Sequence, residues 1–265
     1  MMPEIVVNKE FQGNSEVCSL MSRLPVAFAN GEGELIYDLR NKLRRFVLAD
    51  GTVVIVKKYK RPNFFQKICY STFWKNKAKK SFLFANVLLG MDVDTPLPIA
   101  HVTYRKHGLV SEYYLATSEV KGVESEVPML EMDAKNDKEG MMELASCISK
   151  LLMHLHEKGF LHGDSNLCNF ICRKTGSGYD LSVIDINRSK ILDRPATYKE
   201  CICNLRRISH IQSILVIIAQ TYAKHRGWDE AKVTNDVFEE VRKFERHKSI
   251  SRKLKKYLTF SFLRS

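Results

Sequence analysis

The sequence predicts an α+β protein of two lobes, a small β-rich N-terminal lobe and a larger helical C-terminal lobe. Two observations carry this. Strand-like runs and turn signals crowd into the first 118 residues, whereas apolar residues recur at helical spacing from residue 139 onward. The polar stretch 121–138 between them reads as a connector. A chain of 265 residues is long enough for two lobes around a cleft. The lobes are expected at 1–118 and 119–265, with the boundary near Ser118 to Gly122.

Residues 1–24 are mixed in character and are expected to be partly frayed. Arg44-Phe46-Leu48 and Val53 to Tyr59 flank Asp50-Gly51, and Asp-Gly between two β-rich runs signals a hairpin. Asn63 to Gly90 carries apolar and basic stretches that fit one or two helices, which Thr95-Pro96-Leu97-Pro98 then interrupts. His101 to Thr103 and Gly108 to Thr117 read as two further strands. Met142, Ala145, Ile148, Leu152 and Leu155 form one face of a helix over 139–158, which Gly159 ends. Leu205, Ile208, Ile211, Leu215, Ile218 and Tyr222 mark a core helix over 203–222. Trp228 and a helix over 232–246 add a second layer.

Charge is unevenly spread. The net charge is +12, yet Gly51 to Met91 holds eight Lys, one Arg and no acid, and Arg246 to Ser265 holds seven Lys and Arg, again with no acid. Such tracts suit a polyanionic partner or a solvated face whose acids lie elsewhere in the fold. The final tract interleaves Leu254, Tyr257, Leu258, Phe260 and Phe262 with its cations. It fits either an amphipathic segment on a membrane surface or a helix docked on the second lobe. Seven cysteines, with spacings such as Cys168-x₃-Cys172 and Cys201-x-Cys203, fit neither a zinc site nor a disulfide framework, which points to a reducing cytoplasm. No apolar run approaches the length of a membrane span, and Met1 to Glu10 lacks the basic start of a signal peptide.

The chemistry concentrates in Leu161-His162-Gly163-Asp164-Ser165-Asn166-Leu167-Cys168-Asn169-Phe170 and in Ser182-Val183-Ile184-Asp185-Ile186-Asn187. An Asp, an Asn five residues later, and a second Asp inside an apolar run are the parts that phosphoryl transfer requires. One carboxylate takes the acceptor's proton, while the Asn and the second carboxylate hold Mg²⁺ against nucleotide phosphates. Asp164 is the candidate base, and Asn169 and Asp185 are the candidate metal ligands. A polar loop after a helix is the plainer alternative, but the buried helix leading into the loop favours the catalytic reading. His156 is expected to pack at the helix end, and His162 to be a hydrogen-bonding residue of the loop. His154 and His156 lie two apart on a helix and do not form a metal pair.

A nucleotide site of this kind needs a cation on the sheet. Val53-Val54-Ile55-Val56-Lys57 ends in one, and Lys58 points to the opposite face because side chains alternate along a strand. Lys57 is preferred. For the phosphate loop there are two candidates: Gly31-Glu32-Gly33, and Leu39-Arg40-Asn41-Lys42 just before the hairpin. The second is preferred, with Arg40 or Lys42 meeting phosphate through its side chain and Arg40 carried into the site set. Glu119 and Val120, at the lobe boundary, complete the cofactor-binding set.

With these residues in view, the chain resembles the lipopolysaccharide kinases, in particular Bacteroidetes-type members, and hence a protein-kinase-like fold. The resemblance runs from about Asp38 to the C-terminus. It rests on Arg40-Asn41, Val56-Lys57-Lys58-Tyr59, Arg61-Pro62-Asn63, Lys77-Ala78 with Ser81, and Thr95-Pro96 with Pro98-Ile99-Ala100. Leu155-His156-Glu157-Lys158-Gly159, His162 with Asp164 and Asn169, and Ile184-Asp185-Ile186-Asn187-Arg188 extend it. It implies ATP and Mg²⁺, and as acceptor a heptose or Kdo hydroxyl of the anionic lipid A–core glycolipid at the cytoplasmic face of the inner membrane. Two departures stand out. Where the family pattern leads one to expect a Glu to pair with Lys57, around Ser81 to Ala85, the chain has Phe82, Leu83 and Phe84. Either an acid from elsewhere serves, or the nucleotide alone holds Lys57. Asp185-Ile186-Asn187 also replaces the Asp-Phe-Gly of protein kinases. The rival readings are a small-molecule or protein kinase of the same fold, and a weakly active pseudokinase that binds nucleotide or anionic lipid. Charge alone prompts nucleic-acid binding, and no nucleic-acid partner is expected.

Overall fold

The computed structural model describes residues 3–176 and 178–262, with 250–262 described by backbone alone. It is mixed α and β, with a β-rich N-terminal sheet and a helical C-terminal part, as expected. Two compact units divide the chain: Met1–Gly122 with Ser182–Ser189, and Val123–Leu181 with Lys190–Ser265.

The first unit is built on a six-stranded antiparallel sheet. Its strands are β1 (Glu4–Val7), β2 (Glu34–Asp38), β3 (Lys42–Val47), β4 (Val53–Lys58), β5 (Pro98–Lys106) and β6 (Leu109–Ser118), in the order β1-β5-β6-β4-β3-β2. The Asp50-Gly51 turn joins β3 to β4 as expected, with Gly51 at φ +81°. The N-terminus corrects the expectation of fraying. β1 pairs with β5, and α1 (Ser15–Ala29) buries Val17, Leu20, Met21, Leu24 and Ala27. These pack with Val54, Val56, Ile99 and Tyr114 of the sheet, each large side chain contributing about 1.5–3 kcal/mol. Such burial outweighs the mixed local composition that suggested disorder.

Asn14 caps α1, accepting from the Glu16 and Val17 N–H groups. Pro25 lies inside this helix and supplies no N–H to the carbonyl four residues back. The Tyr104 hydroxyl donates instead to the carbonyls of Met21 and Ser22, at 3.3 and 3.0 Å.

Two helices separate β4 from β5: α2 (Phe64–Thr72) and α3 (Lys77–Leu89). Asn76 caps α3 by accepting from the Lys79 N–H, and its amide donates to Thr103 Oγ1 at 2.8 Å. That buried bond pins the helix start to β5. Ala78 and Phe82 pack with Tyr59, Val110, Tyr113 and Leu115, and the Tyr59 and Ser81 hydroxyls meet at 3.1 Å.

The second unit holds α4 (Glu126–Ala134), α5 (Lys138–Glu157), α6 (Tyr198–Leu205), α7 (Gln212–Arg226) and α8 (Glu230–Phe262). It also holds β7 (Val123–Glu124), which pairs with β9 (Phe170–Thr175), and β8 (Phe160–Leu161), which pairs with β11 (Lys190–Ile191). The strand β10 (Gly178–Val183) lies beside β9. Residues 121–138 are therefore not a bare connector: β7 and α4 occupy them, and Met129 is fully buried. The helix expected over 203–222 is two helices, broken at 206–211. In α5 the buried face runs through Met141, Leu144, Ala145, Ile148, Leu152 and Leu155, while Met142 is exposed. The apolar neighbours Met141 and Met142 left the phase of the stripe ambiguous at that end. Of the basic tail expected over 246–265, residues 246–262 continue α8, the side chains from residue 250 and all of 263–265 lying outside the described residues.

Gly159 ends α5 at φ +73°, and a Cβ there would lie 2.5 Å from the Arg194 carbonyl oxygen. Gly159→Ala is expected to cost about 2 kcal/mol or more, read as a lower urea midpoint; an unchanged midpoint would contradict the strained turn.

Candidate active site

Lys57 is the last residue but one of β4. Val54 and Val56 face the α1 side of the sheet, so alternation sends Lys57 to the other face. Lys58 shares the α1 side, where its ammonium meets Glu112 at 3.0 Å and lies over the Phe28 and Tyr114 rings. Lys57 Nζ instead donates to Asp185 Oδ1 at 2.9 Å. Burial alone would lower the Lys57 pKa, but Tyr59 and Asp185 outweigh it and the ammonium titrates above its ordinary value. Burial raises the Tyr59 phenol, so at neutral pH the opposing charge comes from Asp185.

The segment that presents Asp185 belongs to the first unit. The Val183 N–H donates to the Asp94 carbonyl at 2.8 Å, and Thr95 Oγ1 donates to the Val183 carbonyl at 2.7 Å. Ser182 hydrogen-bonds the Asp94 carboxylate. The Thr95-Pro96 string thus anchors the run before Asp185. Asp185 itself is left-handed, at φ 53° and ψ 43°, and opens the 3₁₀ turn Ile186–Arg188. Asp tolerates this conformation better than most residues, at a cost of order 1 kcal/mol. Asn187, buried, donates its amide to Asp185 Oδ1 at 2.8 Å. The 3₁₀ turn packs on α3, the helix on which the missing Glu was expected. The acid that meets Lys57 therefore comes from 128 residues downstream. Sequence reading offered no signal for this pairing beyond the absence of an acid on α3.

Arg40 lies in the turn between β2 and β3, where the preferred phosphate loop was placed. The rival, Gly31-Glu32-Gly33, joins α1 to β2, and Arg44 Nη1 donates to all three of its carbonyls at 2.7, 3.0 and 2.8 Å. A loop that turns carbonyls inward onto a cation is no cradle for phosphate. Arg40 borders a cavity of about 280 Å³ with Lys60, Arg61, Asn63, Gln66, Lys77 and Tyr113. Arg61 is paired with Glu112. Burial, then the charges of Arg40 and Arg188, hold Lys77 below the usual lysine value. An anion in this cavity would relieve that repulsion. Glu119 follows β6 and is committed to Arg45, Nε to Oε1 at 2.7 Å, which lowers its pKa. Its side chain is therefore engaged, and Val120 is half-buried beside it in sequence.

In the second unit, Asp164 and Asn169 come together. Asn169 Nδ2 donates to the Asp164 carbonyl at 2.7 Å, which leaves the amide oxygen as the atom a cation would take. An amide oxygen is a donor of the type that suits a hard cation such as Mg²⁺. His162 is buried, and its Nδ1 accepts the Asp164 N–H at 3.1 Å. It is a loop-shaping residue, as expected. A hydrogen-bonded chain holds the loop from behind: Tyr222 Oη with His156 Nδ1 at 2.8 Å, His156 Nε2 with Asn204 Oδ1 at 3.0 Å, and Asn204 Nδ2 to the His162 carbonyl at 2.6 Å. Burial pushes the His156 pKa down to about 4, so the ring is neutral. The pattern did not identify Arg207, whose Nη1 reaches the Gly163 carbonyl at 3.1 Å and Asp164 Oδ1 at 3.2 Å. Its guanidinium lies over the Phe244 ring.

The fold sets the class first: a β-rich N-terminal sheet followed by a helical part, a protein-kinase-like fold. A family model described as "Lipopolysaccharide kinase (Kdo/WaaP) family" matches residues 44–228, and the chain belongs to that family. The matched span includes Lys57, Glu119, Val120, Asp164, Asn169 and Asp185, while Arg40 lies before it. A solved structure described as "WaaP in complex with acyl carrier protein" is similar in fold, with TM-score 0.60 and 15% sequence identity. The similarity covers 92% of this chain and 97% of that one. None of the curated proteins matches the chain. The protein is thus a kinase of the lipopolysaccharide type, with ATP as phosphoryl donor and a glycolipid as acceptor. No helix among the described residues is long and apolar enough to cross a membrane.

His156 fixes a pH dependence. Its folded pKa lies below the ordinary 6.5, so its contribution is complete above pH 6.5 and falls away as the pH drops toward 4. Between pH 7.5 and 5.0 the loss is expected to be about 2 kcal/mol. Urea unfolding of wild type and His156→Gln at both pH values measures it; equal pH slopes for the two would contradict a neutral buried imidazole.

Proposed function

We propose that the protein transfers the γ-phosphoryl group of ATP to a heptose or Kdo hydroxyl of the lipopolysaccharide inner core. Asp164 takes the proton of the attacking hydroxyl as its oxygen bonds to phosphorus and the bond to ADP breaks. Arg207 orients that carboxylate. Lys57 and Arg40 bind the nucleotide phosphates, and the backbone at Glu119 and Val120 meets the base. Asn169 and Asp185 are each assigned as ligands that would hold Mg²⁺, and the ion would supply charge neutralisation to the phosphates. The catalytic contribution is positioning and charge neutralisation on groups the fold already holds. The observation that carries the reading is the Asp164–Asn169 pairing within a family whose members are kinases of lipopolysaccharide. The negative charge of the nucleotide phosphates suits the cavity bordered by Arg40, Lys60 and Lys77. Work at the cytoplasmic face of the inner membrane follows from an acceptor of this kind. The fold itself does not select the acceptor.

The test is Mg²⁺-dependent transfer of labelled γ-phosphate to lipid A–core purified from a strain that lacks the gene. Wild type is expected to label a core sugar. Asp164→Asn is expected to lower the rate by at least about a hundredfold and to leave ATP affinity within a few-fold. Transfer to other acceptors but not to the core sugars would overturn the acceptor; an Asp164→Asn enzyme of undiminished rate would overturn the base.

A further inference from the structure

No residue of α2 is buried. Phe64 is 72% exposed, Phe65 65% and Ile68 39%, and beyond the helix end Phe73 is 87% and Trp74 57% exposed. Five large apolar side chains thus stand in solvent within a short stretch, and Phe65 and Trp74 touch edge to face, with centroids 6.4 Å apart. The opposite side of the helix is anchored. Tyr70 meets the Tyr113 ring, and Ser71 Oγ accepts the Val110 N–H at 2.9 Å. The exposed face is therefore presented by a helix fixed to the sheet.

The surrounding charge is mainly positive. Gly51 to Met91 contains no acid. Glu112 and Glu4 pair with Lys58, Arg61 and Lys79 of this tract, while Lys60, Lys67, Lys75, Lys77 and Lys80 make no ion pair among the described residues. Protein–protein interfaces are enriched in aromatic residues but depleted in Lys. Phe, Trp and Ile set among unpaired lysines instead match a surface that enters the headgroup layer of an acidic bilayer. A helix of nine residues is far too short to span one.

We propose that α2 and Phe73-Trp74 are the surface by which this protein docks on an anionic bilayer, with the aromatic side chains in the interfacial layer and the lysines over acidic headgroups. The inference rests on the glycolipid reading only for its biological setting; the patch itself stands on exposure and charge.

The test uses the full chain with sedimented vesicles of phosphatidylcholine, with and without phosphatidylglycerol. Wild type is expected to partition onto the acidic vesicles, and less so as salt is raised. Phe73→Ser with Trp74→Ser is expected to weaken partition at least about tenfold, and Lys67→Glu with Lys75→Glu to remove the preference for acidic lipid. In a Trp228→Phe background, brominated lipid is expected to quench Trp74. Absence of partition, partition unaffected by the Phe73 and Trp74 changes, or burial of Trp74 through self-association without vesicles would each overturn the proposal. Transfer to detergent-dispersed acceptor separates the two readings. Docking without transfer would leave this proposal standing and remove the acceptor; transfer without docking would do the reverse.

Discussion

The first unit depends on how it holds one carboxylate. Asp185 sits in a left-handed turn with Lys57 and Asn187 both on Oδ1. Protein kinases assign the strand lysine to a glutamate on the neighbouring helix. Here that helix, α3, has no acid, and its docking is apolar: Ala78 and Phe82 against Tyr59, Tyr113 and Leu115, closed by the Tyr59–Ser81 hydroxyl pair. An ion pair on a mobile helix can be broken and remade. A helix locked by packing and by the Asn76–Thr103 bond has less freedom to swing, so the arrangement favours a lysine held ready over one that is switched.

The second unit solves a related problem without charge. The loop carrying Asp164 and Asn169 is shaped by a neutral hydrogen-bonded chain that runs from Tyr222 through His156 and Asn204 to the His162 carbonyl. Burying a neutral imidazole with both nitrogens bonded costs far less than burying an ion. Arg207, which reaches the loop at Gly163 and Asp164, lies over the Phe244 ring. Such a scaffold fixes the loop backbone while its carboxylate remains accessible.

Much of this was legible in the sequence, and the limits have physical causes. The hairpin ending in Lys57 could be read because Asp-Gly turns and alternation are local properties. The loop-shaping role of His162 could be read because it sits just before Asp164 in a recognisable spacing. The order of α1 could not: its pattern is weak, and Tyr104, a distant strand residue, supplies the hydroxyl that answers Pro25. Residues 121–138 looked like a connector because α4 buries little beyond Met129. The Lys57–Asp185 pair was hidden for the plainest reason. No local rule tells that residues 182–189 pack with a unit made otherwise of residues 1–122.

A double-mutant cycle on Lys57 and Asp185 addresses this pairing most directly. Urea unfolding of wild type, Lys57→Met, Asp185→Asn and the double variant, all without nucleotide, gives the coupling energy. For a partly buried pair a favourable coupling of about 0.5–1 kcal/mol is expected, weakening as salt is raised. A coupling of zero, with the two single changes simply additive, would contradict Asp185 as the acid that holds the strand lysine.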